Sequence, residues 1–345
     1  MQTTTQPTPS NIMQVGLGFW ASKVLLTAVN AGLFTHLAKK PLSLKEIKAL
    51  LRWNCMNRHA SDFLDTLFAL GFLKREGIGE SAIYSNTDDT DFFLDKEKPG
   101  YIGGILEMAN NRLFRFWANL DDAMKTGKLQ NEAANKGDNL FEAIYSSPEK
   151  TREFVNAMTG IQVSNFIEFA NKFDFSKYKT LCDIGGAGAM LSIQVALHNP
   201  HIACNSFDLP PVKPVALENI THYHLGDRIK TTDGDFFNDA FPKADIITMG
   251  NILHDWSEER KQILIKKAYD ALPEGGAFVA IENVIDNQRA QNVFGLTMSL
   301  NMLIETEEGF DYTLSDFENW TKQAGFKTVE QIPLAGPSSA AIAYK

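Results

Sequence analysis

A short apolar run leads into Cys182-Asp183-Ile184-Gly185-Gly186-Ala187-Gly188-Ala189-Met190, and a helical pattern through Ile193, Val195 and Leu197 follows it. A glycine-rich turn after a first strand lets a ligand lie against backbone that side chains would otherwise cover. Such turns also form without any ligand. The nearest dinucleotide frame begins at Gly186 and Gly188, but its third small position is Leu191, so the fingerprint of a nicotinamide-dependent dehydrogenase is missed. Asp208, in Ser206-Phe207-Asp208-Leu209-Pro210-Pro211, follows Asp183 by 25 positions. An acid at the tip of a second strand can accept from both hydroxyls of a ribose; an Asp ahead of proline is equally a turn signal. Gly234-Asp235-Phe236-Phe237 sets an acceptor beside an aromatic ring, which suits the amino donor and π-face of an adenine. The same phenylalanines also read as core. Taken together, the glycine turn and Asp208 favour an adenosine-bearing ligand. A further cluster, Gly250-Asn251-Ile252-Leu253-His254-Asp255-Trp256, puts an imidazole just ahead of a helix beginning near Ser257.

These groups need a scaffold, and the periodicity supplies one. From Lys179 onward short apolar runs alternate with helical stretches: Thr180–Ile184, Ala203–Phe207, Ile229–Thr231, Ile246–Met249, Phe278–Asn283, Thr328–Ile332 and Ala340–Tyr344. The first five are separated by helix-length segments, the alternation of a mainly parallel sheet. Only a short stretch with Pro333, Gly336 and Pro337 joins the last two, so one of them must run antiparallel. The fold class is therefore α/β, with a doubly wound, mainly parallel seven-stranded sheet in the C-terminal half.

The N-terminal half reads differently. Gly18 to Leu37 has the apolar spacing of one amphipathic helix. Ser43 and Glu46 have the spacing of a capping box ahead of Ile47, Leu50 and Leu51. A helix through Phe63, Leu64, Leu67 and Leu70 stops at Gly71, and two short strands follow around Phe72–Gly77 and Ala82–Ser85. Helix, helix and hairpin make a winged-helix-like pattern. The expected layout is a disordered tail over 1–10, a winged-helix-like domain over 11–100, a helical connector over 101–175 and the α/β domain over 176–345.

Charge and composition narrow the function. The 345 residues carry 33 Lys+Arg and 42 Asp+Glu, a net charge of −9, and residues 1–95 hold nine of each sign. A nucleic-acid partner would need a basic footprint, so a DNA-binding regulator is disfavoured. No run of 18 apolar residues occurs, which argues against a membrane span, and the first ten residues lack the apolar core of a secretory signal. Cys55, Cys182 and Cys204 are far apart and odd in number. They suggest neither a disulfide framework nor a metal site, and they fit a reducing cytoplasm.

In order and spacing, the Gly-Gly-x-Gly turn, Phe-Asp-Leu-Pro, Gly-Asp-Phe-Phe, His-Asp-Trp and Leu272–Gly276 (Leu-Pro-Glu-Gly-Gly) resemble the class I S-adenosylmethionine-dependent O-methyltransferases of the caffeate, acetylserotonin and hydroxyindole type. The helical half resembles that family's dimerisation domain, so the likeness covers nearly the whole chain and implies a homodimer. It implies that S-adenosyl-L-methionine is held, and S-adenosyl-L-homocysteine left, by Asp183, Gly185, Gly186, Gly188, Asp208, Leu209, Asp235, Phe236 and Gly250. It makes His254 the general base, a role suited to a side chain that titrates near neutrality. Glu282 would orient that histidine. A second carboxylate is matched by Asp311, one methylene shorter than the Glu usual in plant members. Tyr312 replaces an Arg, and Gly250 stands where a Lys is common.

The resemblance places the methyl acceptor among Met108, Arg112, Arg115, Trp117, Met158, Met298, Met302 and Thr306, with the two arginines as candidate partners for an acidic acceptor. A hydroxyl must lose its proton on methylation, which gives His254 work; a thioether sulfur has none to lose. The stretches Met298–Thr306 and Gly336–Lys345 also resemble a bacterial and algal branch that includes S-methyltransferases for 4-methylthio-2-hydroxybutyrate, on the route to dimethylsulfoniopropionate, and C-methyltransferases for 2-oxo acids. Hydroxyl oxygen is the expected acceptor atom, with thioether sulfur second.

Overall fold

A computed structural model describes residues 7–98, 100–132, 145–306 and 308–345. The chain divides into two compact units, one ending at Arg115 and the other beginning at Phe116. This boundary lies beyond the expected end of the N-terminal domain at residue 100. Residues 1–6 of the expected tail lie outside the described residues, and its last residue, Ser10, already begins a helix.

In the N-terminal unit, the helix expected from Gly18 to Leu37 is two, Gly18–Asn30 and Leu33–Lys39. Gly32 breaks it with φ of 68°, a left-handed conformation that glycine adopts without a Cβ clash. Ser43 and Glu46 form the capping box: the Glu46 N–H donates to Ser43 Oγ and the Ser43 N–H donates to Glu46 Oε2 at 2.8 Å. Strands β2 (Leu73–Glu76) and β3 (Ile83–Asn86) make the wing. A two-residue strand β1 (Leu42–Ser43), too short for periodicity to reveal, pairs with β3. Phe34, Ile47, Leu64, Leu67 and Tyr84 fill this unit's core. Each fully buried side chain of this kind is worth about 1.5–3 kcal/mol relative to exposure.

One face of this unit has no such cover. Ile12, Met13, Val15, Phe19 and Trp20 are all exposed, Trp20 at 60%. The helical stretch Ser10–Asn30 is long and apolar enough to cross a membrane by length and composition, although polar residues interrupt its apolar run.

The second unit is built on a seven-stranded sheet: β4 (Thr180–Ile184), β5 (Ala203–Asp208), β6 (Ile229–Asp233), β7 (Ile246–Gly250), β8 (Ala277–Glu282), β9 (Thr328–Pro333) and β10 (Ser339–Tyr344). Their order is β6-β5-β4-β7-β8-β10-β9. Strands β4 to β8 pair in parallel, and β10 lies antiparallel to both β8 and β9. All six residues of β8 are buried, as expected of a strand covered on both faces. Strand order reverses on either side of β4. The carboxyl ends of β4 and its neighbours therefore form a topological switch point, the place where open α/β sheets bind ligands.

Candidate active site

The glycine turn closes the end of β4 against the end of β5. The N–H groups of Gly185 and Gly186 both donate to the Phe207 carbonyl, at 2.9 and 3.3 Å. Gly185, Ala187 and Ala189 all have positive φ (71°, 45° and 59°). For the two alanines this is stored strain of the kind concentrated at ligand sites. A Cβ on Gly186 would sit 2.3 Å from Ser206 Oγ, so only glycine lets the turn close here.

Asp208 fastens that turn. Its Oδ2 accepts from the Ala187 N–H and its Oδ1 from the Leu209 N–H, both at 2.7 Å. A carboxylate offers about four lone-pair sites, so two remain for a ligand's hydroxyls. Burial raises its pKa to about 6 against the pull of those two donors. Asp183 is different. It is 3% exposed and accepts from the Thr248 hydroxyl at 2.7 Å, so its side chain supports the turn from behind. Burial pushes it up to about 7.

The Asp235 carboxylate is committed to its own turn, accepting from the Phe237 N–H at 2.8 Å and the Asn238 amide at 2.6 Å. Phe236 and Phe237 pack edge-on to Trp256 at 5.9 and 4.7 Å. Lys267 donates to both of their carbonyls. Gly250, at the end of β7, faces the Phe166 ring: a Cβ there would lie 3.3 Å from it, so a larger residue would have to displace the ring.

His254 sits in a short turn after β7 and is 5% exposed. Its Nδ1 lies 3.4 Å from Asp311 Oδ1, and its Nε2 3.6 Å from Asp255 Oδ1. Asp311 therefore reaches the ring despite its shorter side chain. Glu282 does not meet the imidazole in the manner expected: its Oε1 accepts from the main-chain N–H groups of Ile252 and His254, at 3.0 and 3.3 Å. It holds the turn, and Asp311 is the carboxylate set beside Nδ1 of the ring. Burial works against the imidazolium, but Asp311 and then Asp255 outweigh it and carry His254 up to about 10. Burial raises Glu282 as well. Tyr312 is fully buried next to Glu282, its ring stacked on Phe317, and burial holds its phenol far from ionisation.

Sequence reasoning missed two members of this cluster. Asp255 was visible within His-Asp-Trp but carried no assigned role. Lys261 lies on the helix Glu258–Ala271, where a lysine normally reads as a solvated face, yet it is 0% exposed. Its Nζ donates to the Trp256 carbonyl at 2.5 Å and lies 3.4 Å from the centre of the Phe310 ring. Burial lowers it to about 8.

Of the expected acceptor residues, Met298, Met302 and Thr306 share the helix Val293–Thr306, and Trp117 Nε1 donates to Asn301 on that helix at 2.8 Å. The Thr306 hydroxyl is engaged locally, donating to the Met302 carbonyl and accepting from the Gly309 N–H. Gly309 in turn packs on the His254 carbonyl, which brings this helix end to the histidine turn. Met158 lies partly buried on the helix Pro148–Lys172. Met108, Arg112 and Arg115 belong to the N-terminal unit, on the helical segment that follows Gly103; Arg115 is exposed.

Residues 13–96 match the model of an O-methyltransferase dimerisation domain and residues 117–327 that of the O-methyltransferase domain. The chain is 36% identical to the tetracenomycin polyketide synthesis 8-O-methyl transferase TcmO of Streptomyces glaucescens, over 98% of this chain and 97% of that one. It is 32% identical to the acetylserotonin O-methyltransferase of Gallus gallus over 93% of each. The crystal structure of human N-acetylserotonin methyltransferase in complex with S-adenosylmethionine superposes with a TM-score of 0.89 at 28% identity, covering 100% of this chain and 99% of that one. A dimerisation domain implies a homodimer. With the sheet order, the ordered motifs and these matches all in agreement, the chain belongs to the S-adenosylmethionine-dependent O-methyltransferase family.

Proposed function

We propose that the enzyme methylates a hydroxyl oxygen of a small molecule, with His254 as the general base. The observation that carries this reading is a buried imidazole set between two carboxylates, Asp311 at Nδ1 and Asp255 at Nε2, an arrangement that favours its taking up a proton. A thioether acceptor has no use for such a group. Both relatives named above are O-methyltransferases, which supports the same choice.

S-Adenosylmethionine, when bound, supplies a methyl group already activated on a sulfonium. The protein's part is to bind, align and keep water out. The backbone of Gly185, Gly186 and Gly188 lies along the methionine and ribose portion, with Asp183 bracing the turn. Asp208, with two lone-pair sites left beyond its bonds to Ala187 and Leu209, would hold the ribose hydroxyls. Asp235 and Phe236 border the adenine, and Gly250 keeps the end of β7 open. Asp311 holds the imidazole and steadies its charged form, the part a carboxylate plays behind a catalytic histidine. Glu282 fixes the main chain that carries it. Met298, Met302 and Trp117 supply an apolar wall that adapts to the acceptor.

The exposed apolar face of Ser10–Asn30, most of it inside the matched dimerisation domain, is covered by a second copy of the chain. One exposed and two buried free cysteines support a cytoplasmic setting. The function is tested by following S-adenosylhomocysteine release against hydroxy compounds and thioether acids. A hydroxyl acceptor whose turnover falls about a hundredfold or more in His254→Gln supports the reading. Turnover of a thioether acid that survives the substitution overturns it.

A further inference from the structure

His254 presents a difficulty for its own proposed role. A base must be neutral when the acceptor arrives, yet this imidazole has a carboxylate at each ring nitrogen, Asp311 at 3.4 Å and Asp255 at 3.6 Å. A third carboxylate, Glu282 from β8, bonds to its own main-chain N–H. Beside those carboxylates stand Lys261, from the helix Glu258–Ala271, which interacts with all three, and the un-ionised phenol of Tyr312, which interacts with Glu282. Lys261 makes no ion pair within 4 Å among the described residues; its ammonium is turned to the Trp256 carbonyl and the Phe310 ring. Burial raises Asp255 to about 7, so it is charged above neutrality, and there the two carboxylates at the ring nitrogens favour the imidazolium.

We propose that, above neutral pH, His254 is protonated in the free enzyme and gives up that proton as the sulfonium cofactor binds, so that cofactor loading and activation of the base are one linked event. The inference rests on the reading of His254 as the base. Methyl transfer and proton abstraction act on the same acceptor oxygen, so the site for a sulfonium and the imidazole must flank one atom. A positive charge arriving at that range disfavours a second one on the ring, by about one to two pH units for an effective dielectric near 20. The charge is unique to the methyl donor: S-adenosylhomocysteine is a neutral thioether at the same atom. The two ligands therefore differ in their effect on His254 even where their other contacts agree. The carboxylates at the ring give the free enzyme a resting, protonated state, and the same carboxylates attract the cation that ends it.

Linkage makes this measurable without turnover. A ligand that expels a proton binds more tightly as pH rises through the window between the free and bound values of the group. With His254 near 10 in the free protein, that window opens above neutrality. Isothermal titration calorimetry of the purified full chain, in buffers of different ionisation enthalpy at about pH 9, is expected to show proton release on binding S-adenosylmethionine and little on binding S-adenosylhomocysteine. From about pH 7.5 to pH 9.5 the affinity for the cation should improve up to tenfold relative to the neutral ligand. His254→Gln should abolish the difference. Asp311→Asn, which keeps the shape, should move the window to lower pH. Imidazole nitrogen chemical shifts of the unmodified protein provide a direct reading of the free state. Equal proton exchange with the two ligands, or a difference that persists in His254→Gln, would overturn the proposal while leaving the assignment of the base to the turnover assay. A neutral His254 in the free enzyme at pH 8 would overturn it as well.

Discussion

Asp311→Asn separates charge from shape at the candidate base. The carboxylate stands 3.4 Å from His254 Nδ1 and is 2% exposed. At an effective dielectric of about 20, unit charges at that distance interact by about 5 kcal/mol, equivalent to between three and four pH units. Asp255 remains on the other side of the ring at 3.6 Å and takes over part of the work, so the expected net change is one to three units. The sign is fixed: a negative charge favours the imidazolium, its loss lowers the imidazole pKa, and the neutral base persists to lower pH. The rise of kcat with pH, measured at saturating cofactor and acceptor, should therefore shift towards acid by that amount. Its plateau should fall about ten- to a hundredfold, because the amide no longer steadies the charged ring. Stability follows the same linkage. A histidine raised from an ordinary value near 6.5 to about 10 contributes stability that is complete below pH 6.5 and lost as pH rises through 10. The variant's thermal deficit should then be greatest below about pH 6.5 and shrink towards pH 10. An acid limb that stays in place or moves to higher pH would refute the reasoning.

Lys261→Met should move the same limb the other way, to higher pH and by less than Asp311→Asn, because it removes a partial positive charge that acts on the carboxylates around the ring; kcat against pH reads this directly. Gly186→Ala pushes a Cβ to 2.3 Å from Ser206 Oγ and should cost about 1–3 kcal/mol in chemical denaturation. Ser206→Ala in the same chain removes the opposing atom and should restore most of that loss, a coupling that a double-mutant cycle isolates. Trp20→Glu places a charge in the middle of the exposed apolar face; light scattering should show a shift from two chains to one.

Much of the scaffold is readable from local pattern. All seven strands of the large sheet lie within a residue or two of the runs that marked them; the inner strands β4, β7, β8 and β10 are apolar because they are covered on both faces, whereas the edge strands β6 and β9 are largely exposed. The Ser43–Glu46 box is equally local: two side chains three residues apart satisfy each other's backbone. What escaped depends on groups distant in sequence. Gly32 divides a helix whose apolar spacing runs straight through it. Lys261 is buried because Phe310 and Trp320 fold over it, and no pattern within its own helix signals that. Glu282 and Asp311 are 29 positions apart and were both nominated, but which one faces the ring is decided by the path of the chain between them. The main chain of Ile252 and His254 takes up Glu282, and the return after Val293–Thr306 delivers Asp311 to Nδ1.

The acceptor atom is the centre of the account, and isotopic labelling addresses it most directly. Wild type and His254→Gln would be given S-adenosylmethionine with a ¹³C-labelled methyl group and a mixed panel of hydroxy, thioether and amino compounds, and the labelled product read by NMR. The expected result is a labelled methyl ether formed by the wild type and reduced about a hundredfold or more in the variant. A labelled sulfonium or N-methyl product, or an ether formed equally well without His254, would contradict it.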